Sequence, residues 1–207
     1  MNRSQPSGAS TRCRTECDIN SAGLRSKTRT DRHRRVMYRG LMIHPIRSAD
    51  SQLALLLDGL EEAFHKKSWH GPNLRNALRG VTAKEAAWRP GKERHNIWEL
   101  ALHAAYWKYV VRRKLAGDKR GLFVLKGSNF FPRPDVSSAP SETAWRNDIA
   151  ILETEHCNLC QAVTNLRGTH RLEQPTREAT IRLIRGAAAH DLYHAGQIRL
   201  LRRLCPL

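Results

Sequence analysis

Two histidines four residues apart stand in the run His190-Asp191-Leu192-Tyr193-His194. On a helix such a pair projects from one face, about 40° apart, and both rings can reach a single ion. The pair also falls on an apolar stripe with Leu183, Ala187, Ile198 and Leu201. A neutral imidazole buried there is costly unless something satisfies its ring nitrogens. A third histidine, His103, shares a separate stripe with Leu100, Ala104 and Trp107. Docking the two stripes would bring three imidazoles to one point. Three histidines with one open position is the arrangement of a catalytic zinc or nickel site rather than a closed structural one. Three neutral ligands leave the ion's full charge in place, which pulls the pKa of a bound water or thiol towards neutrality and makes a nucleophile.

The neighbouring residues fit such a site. Gly186, Ala187, Ala188 and Ala189 precede the pair, and Ala195 and Gly196 follow it; small side chains let helices approach and leave a cavity between them. Gln197 lies on the face of His194 and can hydrogen-bond within the site. Trp107 and Tyr193 complete the candidate pocket. Asp191 stands where a His-Glu-x-x-His metalloprotease carries its catalytic Glu. The shorter side chain and the absence of a downstream ligand argue against a protease, leaving Asp191 as a solvated carboxylate or one supporting a ligand from behind. The other histidines carry blander expectations: His70 is a turn residue or lines a pocket mouth, His95 faces solvent, and His65, His156 and His170 lack ligand spacing.

Four long helical patterns must position these groups. The first runs from an N-cap at Asp50 to about Ser68, with Leu53, Leu56, Leu57, Leu60 and Phe64 on one face. Pro72 opens a short helix through Leu74 and Leu78 that stops at Gly80. Thr82-Ala83-Lys84-Glu85 has capping-box spacing and starts another short turn, ending at Trp88 before Pro90. The second long helix begins at Asn96-Ile97-Trp98-Glu99, where Glu99 reads as the closing residue of a capping box, and continues to about Ala116. A Gly- and Pro-punctuated crossover covers 117–140, with Phe130 and Phe131 pinning it to the bundle. The third long helix spans about Ser141 to Leu166 and the fourth about Thr176 to Leu204. No segment alternates with the period of a half-buried strand. The expected fold is therefore all-α, a four-helix bundle with a long crossover between helices two and three.

Charge is lopsided, with 36 Lys and Arg against 19 Asp and Glu over 207 residues, a net +17. Residues 1–47 hold eleven basic and three acidic residues, so +8 falls on that segment and +9 on residues 48–207. The segment is rich in Arg, Ser and Thr and has no apolar periodicity, which reads as a disordered basic tail ahead of one bundle domain at 48–207. It resembles an organellar transit peptide in composition; a mis-assigned start, with Met37 or Met42 as the true one, and a genuine basic arm are the other readings. No secretory signal is recognisable, and no run approaches the roughly 18 apolar residues of a membrane span. Five cysteines, two of them Cys13 and Cys17 in the tail, make no disulfide framework. Cys157 and Cys160 form a CxxC inside a helical pattern and read as ordinary reduced residues, fitting a cytoplasmic location.

The pieces Trp69-His70-Gly71-Pro72, Asn96-Ile97-Trp98-Glu99 leading to His103, and His190-Asp191-Leu192-Tyr193-His194-Ala195-Gly196-Gln197-Ile198 resemble the DinB-like (DinB/YfiT) superfamily over about residues 50–205. The resemblance implies a four-helix bundle with a long crossover and a divalent metal held by three histidines, which by position are His103, His190 and His194. It also implies thiol-dependent transferases, isomerases or metal-dependent hydrolases as relatives. The basic tail is a departure and inherits no role.

Two classes of function follow. In the first, an enzyme uses zinc or nickel, with or without a low-molecular-weight thiol, to attack a small electrophilic substrate. Catalytic residues beyond the pocket candidates Asp191, Gln197, Trp107 and Tyr193 are not specified, and a homodimer is compatible with the pattern. In the second, the bundle binds metal without catalysis in a stress-related role, or the tail grips nucleic acid. Nucleic acid is the less expected partner, because nearly half the positive excess lies outside the folded part.

Overall fold

Asn96 turns the chain into the helix that carries His103. Its side chain accepts from the Glu99 N–H, so one of the four N-terminal donors that lack an intrahelical partner is satisfied. In the computed structural model, which describes residues 49–119, 121–134, 139–172 and 176–207, six α-helices form. They are α1 (Ala49–Phe64), α2 (Leu74–Leu78), α3 (Ala83–Ala87), α4 (Ile97–Ala116), α5 (Glu142–Thr164) and α6 (Thr176–Leu204), with a 3-10 turn at His170–Leu172. No strand occurs among the described residues. The four long helices close a ring in which α4 packs on α5 and α6, and α1 packs on α6 and α5. This is the expected four-helix bundle; the basic segment 1–47 lies outside the described residues.

Local chemistry sets the boundaries. Thr82 and Glu85 form the anticipated capping box at the start of α3. Gly117 ends α4 in the left-handed conformation, φ 81°, returning its N–H to the Arg113 carbonyl. Three expectations shift by a few residues. α1 is already under way at Ala49, so Asp50 lies inside the helix rather than capping it. It ends at Phe64, because the N–H groups of His65 and Lys66 both return to the Glu61 carbonyl, and the Ser68 hydroxyl donates to the Glu62 carbonyl beyond the helix end. Asn73, not Pro72, opens α2, its side chain accepting from the Asn76 N–H.

The apolar core falls into two clusters. One gathers Trp98, Leu102, Leu152 and Ile198 with Leu74 and Ala86 of the short helices. The other gathers Leu60, Leu115, Leu159 and Ile184. Between them on α4, α5 and α6 come three polar residues, Lys108, His156 and Asp191, all buried. The crossover after α4 is held from below. Phe131 is buried in the first core cluster, and the Arg133 guanidinium Nε donates to Asp148 Oδ2 at 2.8 Å. The same oxygen accepts from the indole N–H of Trp98 at 2.7 Å.

Trp98 is almost wholly buried, so removing its acceptor leaves a desolvated donor unpaired. Asp148→Ala is expected to cost about 2 kcal/mol, read from urea unfolding. Asp148→Asn, which keeps an acceptor oxygen, should recover part of that loss.

Candidate metal centre

α4 and α6 run side by side, and the three expected histidines meet between them. Nε2 of His190 lies 3.1 Å from Nε2 of His103 and 3.0 Å from Nε2 of His194. The three ligand atoms fall within 4.8 Å of one another, a group that could hold a metal ion. His103 and His194 are buried and His190 is half-buried.

The far side of each ring decides what its inner nitrogen can do. His103 Nδ1 is 2.9 Å from the backbone carbonyl of Asn129, which can only accept, so Nδ1 carries the proton. His194 Nδ1 is 2.6 Å from Oε1 of Gln197, again an acceptor. The Gln197 amide is oriented by its own Nε2, which donates to the Tyr193 hydroxyl at 3.1 Å. A neutral ring protonated at Nδ1 presents a lone pair at Nε2. Two lone pairs therefore aim at the third ring, and His190 has one N–H to offer when neutral. At least one lone pair faces inward without a proton. A divalent cation resolves this arrangement, because every inner nitrogen then donates electrons to it.

Electrostatics keep the rings neutral. Burial, followed by the proximity of His194, His103 and Lys108, pushes His190 down to about 3. Burial and His103 push His194 down to about 4, against the opposing hydrogen bond to Gln197. Burial also lowers His103, with the Asn129 carbonyl working the other way.

A cavity of about 730 Å³ opens onto the three rings, with Trp107, Phe130, Tyr193 and Leu200 among its walls. The pocket candidates Trp107, Tyr193 and Gln197 are all there. The Trp107 indole N–H donates to Asn129 Oδ1 at 3.0 Å. Phe130 stacks on His103 with ring centroids 4.1 Å apart, and on its other side against His95 at 3.6 Å. His95 is exposed, as expected, and also lies 2.9 Å from Glu99 at the cavity wall. Glu99 is not the closing half of a capping box. Its carboxylate is taken by Arg89, His95 and the Arg133 N–H, which together overcome burial and hold its pKa below the ordinary value. His70 is highly exposed beside Trp69 and does not line this cavity.

Of the two readings of Asp191, burial removes the solvated one: the carboxylate is fully buried and pairs with the ammonium of Lys108 on α4. Burial raises its pKa, with Lys108 opposing. Lys108 also donates to Nδ1 of His156 at 3.4 Å, and Nε2 of that ring lies 3.4 Å from Cys160 Sγ. The His156 ring stacks on Phe64 at 3.9 Å, and burial, then Lys108 and His65, drive its pKa down to about 2. Burial pushes the Cys160 thiol up to about 12, which makes it no nucleophile and agrees with the bland reading of the CxxC.

Sequence reasoning missed Lys108, because a lysine on a helix reads as surface, and Asn129, because its contribution is a backbone carbonyl. The one available signal for Asn129 was its residue type after Gly127-Ser128. Asn tolerates the left-handed conformation it adopts, φ 66°.

Residues 68–198 match the family model described as DinB superfamily, and the chain belongs to that superfamily. No curated protein and no solved structure matches the chain.

Two outcomes test the buried charges. Lys108→Met strands a carboxylate in the core and should cost about 3–5 kcal/mol in urea unfolding, whereas Lys108→Met with Asp191→Leu should recover most of it. The folded pKa values of about 2, 3 and 4 for His156, His190 and His194 lie below the unfolded value of 6.5. The unfolded chain thus binds more protons below pH 6.5, and stability falls as pH drops through that point. Metal-free protein should show a flat urea midpoint above about pH 7 and a declining one below about 6.5. His156→Phe should make the decline shallower.

Proposed function

We propose that the chain is a metal-dependent enzyme of the cytoplasm in which His103, His190 and His194 hold one zinc or nickel ion and a small electrophilic substrate is attacked by a thiol or by water. The observation that carries this reading is the proton inventory of the site. Two rings spend their N–H groups on Asn129 and Gln197, and their lone pairs converge with the third ring on one point. When bound, the ion would supply Lewis acidity, lowering the pKa of a thiol or water that reaches its remaining position.

The chain's own groups do the rest. The Asn129 carbonyl and the Gln197 amide fix ring orientation and tautomer, so the lone pairs are in place before any ligand arrives. Phe130, Trp107, Leu100 and Leu201 line the cavity and exclude water from a bound substrate. The Tyr193 hydroxyl already accepts from Gln197, which leaves its own proton to offer to a substrate oxygen. Arg94 lies among the lining residues and favours an anionic substrate or thiol. Among the described residues the cysteine near the Lys108–His156 contacts is Cys160, whose thiol burial pushes up to about 12, so the proposed nucleophile is an external thiol or water.

Metal analysis of the purified protein should give one equivalent of zinc or nickel, and His194→Ala should abolish it. Metal content unchanged by that substitution would remove the site. Gln197→Ala should weaken metal affinity by roughly 10- to 100-fold with little change in unfolding. In cobalt-substituted protein, a titrated low-molecular-weight thiol should bring a sulfur charge-transfer band if a thiol is the nucleophile, and leave the spectrum unchanged if water is.

A further inference from the structure

A second cavity, of about 450 Å³, lies along the seam between α4 and α6 on the other side of His190. It shares Trp107 and His190 with the first cavity and extends away from it to Lys114 on α4 and to Ala179 and Arg182 on α6. Val111, Leu183 and Ala187 supply apolar wall. The buried Lys108–Asp191 pair forms part of the lining, its opposite charges compensating each other. Small residues open the space, and a Cβ added at Gly186 would meet nothing within 4 Å.

The two ends differ in chemistry. Lys114 and Arg182 are exposed, and neither has an ion-pair partner among the described residues. At the other end stand an indole and an imidazole. From Trp107 to Lys114 is seven residues of helix, roughly 10 Å at 1.5 Å per residue, the length of an extended chain of about eight carbons.

We propose that this seam binds a small amphipathic anion, its charged head at Lys114 and Arg182 and its apolar chain lying against Val111, Leu183 and Ala187, with the tail ending at Trp107 and His190. The cationic rim chooses the head, and the distance to Trp107 and His190 measures the chain. Binding here uses no inner imidazole nitrogen, so the inference stands apart from the metal-dependent reading.

Calorimetric titration with straight-chain carboxylates tests it on the full chain. From hexanoate to octanoate, affinity should tighten about fourfold per added methylene, then level off through dodecanoate as the tail outgrows the seam. Octanol should bind at least tenfold more weakly than octanoate, and Arg182→Glu should bring octanoate down to that level. Gly186→Leu and Ala179→Leu, both at exposed helix positions, should each weaken octanoate tenfold or more while melting temperature and metal content hold. His194→Ala should bind octanoate as the parent does. The proposal is overturned by an absence of saturable octanoate binding, by binding that ignores all three seam substitutions, or by affinity that keeps climbing through dodecanoate.

Discussion

An imidazole has one proton and two nitrogens, and the centre of this bundle is organised by where those protons go. His103 and His194 give theirs outward, to a backbone carbonyl and to a side-chain amide. What remains is a set of lone pairs pointing at His190, with His103 and His194 themselves buried. Such an arrangement costs free energy in the empty protein, since lone pairs repel and a buried acceptor without a donor loses its hydration. The packing of α4 against α6 supports that cost, and the rings are themselves part of it, His103 of α4 lying against His190 and His194 of α6.

The layer next to the histidines makes the same point in charge. Lys108, His156 and Asp191 interrupt the apolar core between its two clusters, joining α4, α5 and α6 by polar contacts in place of packing alone. Apolar side chains at these positions would hold the bundle together as well, and often better. An ion pair, unlike an apolar contact, fixes register: Lys108 sits five residues beyond His103, and Asp191 is next to His190. Sliding α6 past α4 would break the pair and separate the rings in one movement. Burial above all keeps the imidazoles deprotonated, with Lys108 adding to the lowered pKa of His190.

The helices and the meeting of three histidines were legible in the chain because both follow the 3.6-residue period. His103, His190 and His194 lie on apolar stripes, and two stripes that must each be buried have few ways to avoid meeting. Caps were legible where a short polar side chain precedes the helix, as at Thr82 and Asn96. What could not be read were partners distant in sequence. Asp191 looks like a solvated carboxylate until α4 delivers Lys108, 83 residues away, against it. Glu99 has the spacing of a capping-box acid, yet its oxygens are taken by the Arg89 guanidinium, a charged donor stronger than a backbone amide, and by His95 and the Arg133 N–H. Helix ends moved by a few residues for a similar reason, a local carbonyl or hydroxyl closing the last turn before the apolar period ran out.

The crossover shows why a loop in this fold has to be as well anchored as a helix. One of the two outward protons lands on Asn129, which belongs to no regular element, so the orientation of His103 is only as good as the position of that loop. Its attachments converge on a few residues. The Arg133 carbonyl accepts from the side chain of Asn96 at 2.6 Å, the same side chain whose oxygen caps α4. The Arg133 N–H donates to Glu99 and its guanidinium to Asp148, while Phe131 is buried in the core and Phe130 stacks on His103. A single N-cap residue thereby starts the helix that bears the first histidine and holds the loop that orients it. Loosening that loop would let the His103 ring turn, and with it the lone pair that meets the other two.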